Sequence, residues 1–418
     1  MKELPIKNVQ PAIEIADAEL VSLKNGMQLY LLPANKFAVM RLTLLFRAGS
    51  SRQSVPFSAS ATANLLAEGS EAMTAREISE QLDFHGSYFD VNTDRDYVYI
   101  SFAMLSKFVP ETLRVAEQLL LHPTFPEEEV ETYRLKRKQR LQIERQKVDV
   151  RAREAFARAM FGADHPYGHS FEEAAYDQLT REELVAFYRR HYTASNGFAV
   201  CSGRIGDEER KALCALLEQL PAAEAAPRPE FPPICQEREV RLAHEGAVQS
   251  SIRIGRLLFP REHPDFVGMQ VVAATLGGYF GSRLMQNLRE QHGYTYGVIS
   301  AMVNFEREGY LAIATQVGTE VTEEALKEIY YEIERLRHET MSDEELQLVK
   351  NIMTGEMMRI LDGPFGIADV TIENILCGRT NRIITENVER IRSITPEEVQ
   401  RLAEKYLRRE DLVTVVVG

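Results

Sequence analysis

Two arginines, three tyrosines and five glycines fall within one run, Gly277 to Gly297, GGYFGSRLMQNLREQHGYTYG. A guanidinium and a phenol both donate hydrogen bonds, so a convergent pair can stabilise an oxygen on which negative charge develops. Gly277, Gly278 and Gly281 allow backbone angles or close approaches that a side chain forbids. Ser282 to Glu290 then predicts a helix with Leu284, Leu288 and His292 on one face, and Gly293 is placed to stop it in a left-handed cap. Arg289 sits in the last turn, and Tyr296 follows seven residues later on an extended segment. That spacing lets the two side chains meet across a helix-to-strand turn. The bland alternative pairs Arg289 with Glu290 or a helix-end carbonyl and packs Tyr296 in the core.

The elements that must position this run are legible on either side of it. Lys24 to Met27 is a turn signal beside two apolar runs, Gln28 to Leu32 and Val39 to Phe46, which read as a hairpin entering a sheet. Helix signatures follow at 58–68, 74–84, 110–121, 126–147, 151–161 and 180–191. Thr74 with Glu77, and Thr180 with Glu183, have the spacing of a capping box. A strand pair is expected over 88–104 and another strand at 198–201. The segment PAAEAAPRPEFPP from Pro221 holds five prolines and no apolar period, so it reads as an extended linker.

The half of the chain after the linker repeats the half before it. His85-Gly86 is echoed by His292-Gly293, the helix starting at Pro126 by one starting at Ser342, and Leu179-Thr180 by Ile394-Thr395, in one order and about 207 to 216 residues apart. Such matches mark a tandem duplication. The fold class is therefore α+β, with two homologous domains, 1–220 and 236–418, joined by a Pro-rich linker at 221–235. Each should carry a mostly antiparallel sheet with helices packed on one face.

The bulk properties exclude some partners. A net charge of −13 over 418 residues argues against binding a phosphate backbone, and the basic run Arg134 to Arg140 reads as a solvated helix face. The same acidity suggests a chamber friendlier to basic peptides. No apolar stretch is long enough to span a bilayer, and the start MKELPIKNVQ lacks the apolar core of a signal peptide. A cytoplasmic location is expected for the chain as written, or a periplasmic one if a signal has been removed. Cys201, Cys214, Cys235 and Cys377 show neither paired nor regular spacing, which predicts buried free thiols.

The run Ser282-Arg283-Leu284, Asn287-Leu288-Arg289-Glu290 and Gly293 to Gly297 resembles the C-terminal signature of the pitrilysin (insulinase) family, the inverted-motif zinc peptidases that include mitochondrial processing peptidase. Arg47-Ala48-Gly49-Ser50 and His165-Pro166-Tyr167-Gly168 agree with it, and the likeness extends from about Val21 to Gly418. It implies two homologous domains and a glycine-rich stretch, Gly277, Gly278 and Gly281, that binds substrate. It also implies that Arg289 and Tyr296 grip the peptide opposite a zinc ion. The family's His-x-x-Glu-His falls on Ser60, Ala63 and Asn64, and its distal Glu near Gln142, with Glu144 close by. None of the first three can bind zinc or take a proton from water. His165 and His169, separated by Pro166 and Gly168, read as a loop in which His165 caps or packs, in preference to a second metal site.

The resemblance thus implies no cofactor in this chain, which is not a metallopeptidase on its own. Zinc is expected in a partner, and the chain would be the non-catalytic subunit of a heteromeric metalloendopeptidase. It would bind extended peptides and supply Arg289 and Tyr296 in trans. The alternative is a peptidase-like scaffold or peptide-binding homodimer with no part in hydrolysis; an enzyme with rewired metal ligands is the third reading.

Overall fold

The computed structural model describes residues 13–224 and 226–418. The opening ten residues, read for a signal in the sequence, and position 225 of the linker lie outside these.

In the first half β1 (Glu19–Ser22), β2 (Gln28–Pro33) and β3 (Val39–Phe46) precede α1 (Ser58–Asn64) and α2 (Ala75–Phe84). Then come β4 (Tyr88–Thr93), β5 (Val98–Leu105), α3 (Val109–Leu121), α4 (Glu127–Glu144), α5 (Val148–Phe161), α6 (Arg181–His191), β6 (Gly197–Gly203) and α7 (Asp207–Leu217). The second half runs β7 (Glu239–Leu242), β8 (Gln249–Leu258), α8 (Phe266–Gly277), β9 (Val298–Asn304), β10 (Gly309–Gly318) and α9 (Thr322–His338). It ends with α10 (Asp343–Ile360), α11 (Pro364–Leu376), α12 (Arg382–Ser393), α13 (Pro396–Tyr406) and β11 (Val413–Val417).

Leaving out β1, the sheets have the orders β2-β6-β3-β5-β4 and β7-β11-β8-β10-β9. These match strand for strand. In each, the last strand slots in beside the first, parallel to it and antiparallel to the next. The fold is therefore two tandem α+β domains of one topology. Local signals hold where chemistry is local. Thr74 accepts from the Glu77 amide while the Glu77 carboxylate accepts from the Thr74 amide. Thr180, Ser342 and Thr395 cap α6, α10 and α13 in the same sense. Gly86 and Gly293 both have left-handed backbones, φ +60° and +67°.

The expected hairpin of 28–32 with 39–46 does not form. β6 stands between them, parallel to β2 and antiparallel to β3. Its consecutive Phe198, Ala199, Val200 and Cys201 are all buried. A strand apolar on both faces belongs in the middle of a sheet. The Lys24–Met27 turn joins β1 to β2 instead.

Each domain has its main core between the sheet and helices on one face. That core includes Leu42, Leu44, Ala59, Ala63 and Leu184 in the first domain and Ile252, Ile254, Val272, Leu276 and Leu402 in the second. The opposite faces are covered by an exchange. Ala152, Phe156 and Ala159 of α5 pack on Val413, Val415 and Val417 of the second sheet. In return Ala368 and Ile372 of α11 pack on Leu45, Phe198 and Val200 of the first. The helical period shows that α5 and α11 each have an apolar face, but not which sheet receives it. Polar contacts reinforce the crossing. Arg41 of β3 donates to the Phe365 carbonyl at 2.8 Å, pairs with Asp369 and stacks on the Phe365 ring.

Between the domains, Glu306 lies at a junction of charges. It pairs with Arg52 at 3.0 Å, Arg228 at 3.3 Å and Arg47 at 3.9 Å, and its amide donates to Asp96 at 2.7 Å. Asp96 also accepts from the Tyr167 hydroxyl at 2.7 Å.

Candidate functional site

The first group of site residues lies on α1. Ala59, Ala61 and Ala63 are fully buried, so the helix sits close against α6 and the sheet. Ser60 donates to the Phe57 carbonyl at 3.1 Å, and Asn64 donates back to the Ser60 carbonyl at 2.7 Å. Arg137 of α4 donates to the Asn64 side-chain oxygen at 3.1 Å while its guanidinium lies 5.0 Å from the Tyr133 ring centre. Arg137 was expected on a solvated face. Tyr133, Arg137 and Leu141 instead form the i, i+4, i+8 face of α4 turned toward α1.

Leu141 lines a cavity of about 270 Å³ with Ser60, Arg95, Arg153, Glu154 and His169. Gln142 is exposed and near Glu173, whose pKa it helps to lower, and Glu144 pairs with Arg140 at 2.8 Å. The donor set does not fit zinc. The motif positions hold a hydroxyl, a methyl and an amide, and the amide oxygen is already engaged by a cation, which opposes a second positive charge. Among the described residues no group of three or more His, Cys, Asp or Glu side chains could hold a metal ion. His165 is buried, stacks on Phe161 and accepts from the Tyr167 amide at 3.1 Å; burial lowers its pKa. His169 packs on Phe171. Of the four cysteines, all free, Cys201 is buried while Cys235 is exposed. That exposure corrects the expectation that all four would be buried.

The second group is the run after α8. Gly277 lets the end of α8 approach β9, since a Cβ there would meet the Ser300 amide at 2.8 Å. At Gly278 it would meet Ala274 of the preceding turn at 2.5 Å, and at Gly281 the Tyr279 ring at 3.0 Å. Residues Met285–Gln291 form a single stretch of π-helix in place of the expected α-helix. The His292 amide reaches the Asn287 carbonyl, five residues back. The wider turn sends the buried Asn287 side chain to Glu328 at 2.8 Å and Glu332 at 3.0 Å on α9. Leu284 and Leu288 are buried as the period required, whereas His292 is not. Such π segments are frequent at functional sites.

Arg289 lies 4.5 Å from the Phe280 ring centre and 3.5 Å from the Glu290 carboxylate. Tyr296 is 91% exposed and so takes no part in the core. It opens onto a cavity of about 380 Å³ lined also by Asp149, Gln249, Arg253, Ile299 and Gln316; Arg289 is outside that lining. The loop bearing Tyr296 is held from below. The Thr315 hydroxyl of β10 lies 3.0 Å from the Thr295 hydroxyl and 2.9 Å from the Gly297 carbonyl, with one proton to give to either, and the Gly297 amide donates to Thr295 at 3.1 Å. Thr315 and Arg253 in this region, and Arg137 beside Asn64, are the residues that sequence reasoning missed. Spacing along one segment carries no signal for a partner on another strand or helix.

Known proteins share both the sequence pattern and the fold. Residues 59–171 match the model of the insulinase peptidases (peptidase family M16), and residues 178–353 match the peptidase M16 inactive domain; together these span more than half of the chain. The chain belongs to the insulinase family, M16. It is a member that lacks the family's zinc motif.

An uncharacterized zinc protease of Streptomyces coelicolor is 23% identical over 84% of this chain and 79% of its own length. A probable mitochondrial-processing peptidase subunit beta of Arabidopsis thaliana is 22% identical over 85% of this chain and 69% of its own. Among solved structures, a peptidase M16 inactive domain from Pseudomonas fluorescens superposes with TM-score 0.88 at 23% identity, covering 96% of this chain and 98% of that one. A protease from Helicobacter pylori gives TM-score 0.85 at 16% identity, over 96% and 99%. These likenesses carry the two-domain fold. No helix of the described residues is long and apolar enough to cross a membrane.

Proposed function

We propose that this chain is the non-catalytic subunit of a two-component M16 peptidase, holding extended peptides and presenting Arg289 and Tyr296 to a zinc-bearing partner. The observation that carries this reading is the state of Tyr296. A phenol 91% exposed, on a loop pinned by Thr315, contributes almost nothing to packing and is free to meet a ligand. The loss of ligands at Ser60, Ala63 and Asn64 means that any hydrolytic metal must come from outside the chain.

In such an enzyme water attacks the peptide carbonyl beside the partner's zinc, and a fixed donor stabilises the charge that builds on oxygen. Binding of the peptide by strand addition is supported by the open edges. Among the described residues β4 pairs only with β5, and β9 only with β10. The glycines Gly277, Gly278 and Gly281, which allow close backbone approach, would border the bound chain.

The test mixes the purified chain with an M16 relative that carries an intact zinc motif and follows cleavage of a quenched fluorogenic peptide. Cleavage that neither protein shows alone is expected. Tyr296→Phe should lower that turnover by about ten- to a thousandfold, the effect of removing one oxyanion donor, while co-elution of the two chains persists. Equal turnover with the Tyr296→Phe variant in the mixture ends the donor role.

The Arg289 contact with Glu290 favours a second reading, a scaffold or homodimer outside hydrolysis, because that guanidinium already has a neighbouring carboxylate. Under that reading, no zinc-bearing relative produces cleavage with this chain, and the chain self-associates at the same concentrations.

A further inference from the structure

Three arginines line the cavities beside Ser60 and Tyr296, and two of them are partly buried with no carboxylate of the described residues within ion-pair distance. Arg95 makes only long contacts, 3.4 Å, to the Pro166 and His169 carbonyls. The guanidinium of Arg253, on the central strand β8, forms no ion pair or hydrogen bond among the described residues, and its Nε is buried with no acceptor. Arg153 of α5 is exposed. Arg95 and Arg153 border the cavity that contains Ser60; Arg253 borders the one that contains Tyr296.

The three are linked in space. Burial lowers the pKa of Arg253, and the charge of Arg153 lowers it further. Tyr310 of β10 lies in the field of both Arg253 and Arg95, whose charges oppose the rise that burial imposes on its hydroxyl. Carboxylates of the chain offset part of this charge without forming an ion pair with it. Asp149 acts on Arg253, and Asp96, Asp94 and Glu154 act on Arg95, while Glu154 itself is held by Arg145 at 3.2 Å.

A guanidinium removed from water without an acceptor costs free energy, and a ligand that supplies a carboxylate recovers it. Arginine suits this role because its planar fork accepts a carboxylate through two parallel hydrogen bonds. We propose that Arg95, Arg153 and Arg253 form a carboxylate-recognition strip running from the Ser60 cavity to Tyr296, selecting extended peptides that carry acidic residues. The selection rests on the peptide-binding function proposed for the chain. It runs against the chain's overall charge of −13, which by itself favours basic peptides.

The experiment measures fluorescence anisotropy of three labelled peptides on the full chain, identical except for Glu, Gln or Lys at one central position. The Glu peptide should bind about tenfold more tightly than its Gln twin, the scale of one charge-assisted hydrogen bond. Raising salt should narrow that ratio. Arg253→Gln should bring the ratio close to one, and Arg253→Lys should keep part of it. Arg153→Gln, a change at an exposed position, should lower the ratio without unfolding the chain and so guards against an unstable Arg253 variant. Binding of all three peptides with equal affinity overturns the strip but leaves peptide binding standing. A Glu preference that survives in both Gln variants also overturns it. Binding of none removes the peptide-binding reading, and the strip falls with it.

Discussion

The helix that carries Ser60, Ala63 and Asn64 and the loop that carries Tyr296 treat their polar side chains in opposite ways. On α1 the polar side chains are turned inward on the chain itself. Ser60 bonds the Phe57 carbonyl, Asn64 bonds Ser60 and receives Arg137, and Ala63 is fully buried. At Tyr296 the polar bonds are made underneath, by Thr295, Gly297 and Thr315, and the phenol itself is left to solvent. Polar groups with little access to water find partners within the chain, while the cavity of about 270 Å³ that Ser60 lines stays open beside them. Where the hydroxyls and amides of a loop satisfy one another, the side chain that the loop carries is left free of the chain.

The largest effect should come from the joint that holds these two regions in register. Glu306 is mostly buried and sits among Arg47, Arg52 and Arg228, and the Arg52 side chain is 2% exposed. Glu306→Ala leaves the Arg52 charge in place without its acid, which should cost about 3–5 kcal/mol. Urea denaturation with and without the substitution measures it. A loss under about 1 kcal/mol would mean that water reaches Arg52 and that the junction is not the clamp it resembles.

Rebuilding the closed region comes next. Ala63→Glu forces a carboxylate into a fully buried position and should destabilise by on the order of 3 kcal/mol. With Ser60→His and Asn64→His added, the variant should still purify without stoichiometric zinc, since Arg137 faces position 64 and Gln142 is turned to Glu173. Further replacement of Arg137→Ser and Leu141→Glu should raise zinc affinity, because Leu141 shares the Ser60 cavity. Elemental analysis decides between these outcomes. Zinc at one equivalent in the triple variant alone would falsify the blocking role of Arg137.

The contrast between the regions was partly written in the sequence. Capping at Thr74 and Thr180, the left-handed Gly86 and Gly293, and the repeat are all local or self-comparing signals, and the structure carries each. What failed or was invisible is non-local. β6 entered between β2 and β3, α5 and α11 changed places, and a wide turn at Met285–Gln291 replaced a regular helix because Asn287 reaches two carboxylates on α9. Each outcome depends on a partner far along the chain, which neither periodicity nor local propensity encodes.

A smaller, pH-dependent effect should be confined to the closed side. His191 of α6, which packs on α1, is buried against Phe187, with its Nδ1 unpartnered. Burial, with the charges of Arg190 and Arg52, pushes its pKa down to about 4 from an ordinary 6.5. The folded state therefore holds this imidazole neutral while the unfolded chain takes up a proton. Stability from this group is complete above pH 6.5 and is lost as pH falls toward 4. Melting temperatures of the wild type and His191→Gln across that window should converge as the pH drops. Parallel curves would mean that His191 is not the group that titrates.

The smallest effect tests the open side, where the support beneath Tyr296 can be weakened without touching the phenol. Thr315→Val keeps the shape of a side chain that is 5% exposed, but removes the hydroxyl that donates to Thr295 or to the Gly297 carbonyl. Global stability should fall by only about 1 kcal/mol, the net worth of such a bond. The local consequence should be larger than the global one. The Gly297 amide, bonded to Thr295 at 3.1 Å, should exchange its proton faster, while amides in the β8–β10 ladder keep their protection. If the exposed phenol acts on a bound peptide, its freedom of position then matters. Turnover of a mixed enzyme should drop with Thr315→Val by less than with Tyr296→Phe, since the donor remains but is less well held. Unchanged exchange at Gly297 would mean that the loop is rigid for another reason, and Tyr296 would then owe its placement to the backbone of the turn alone.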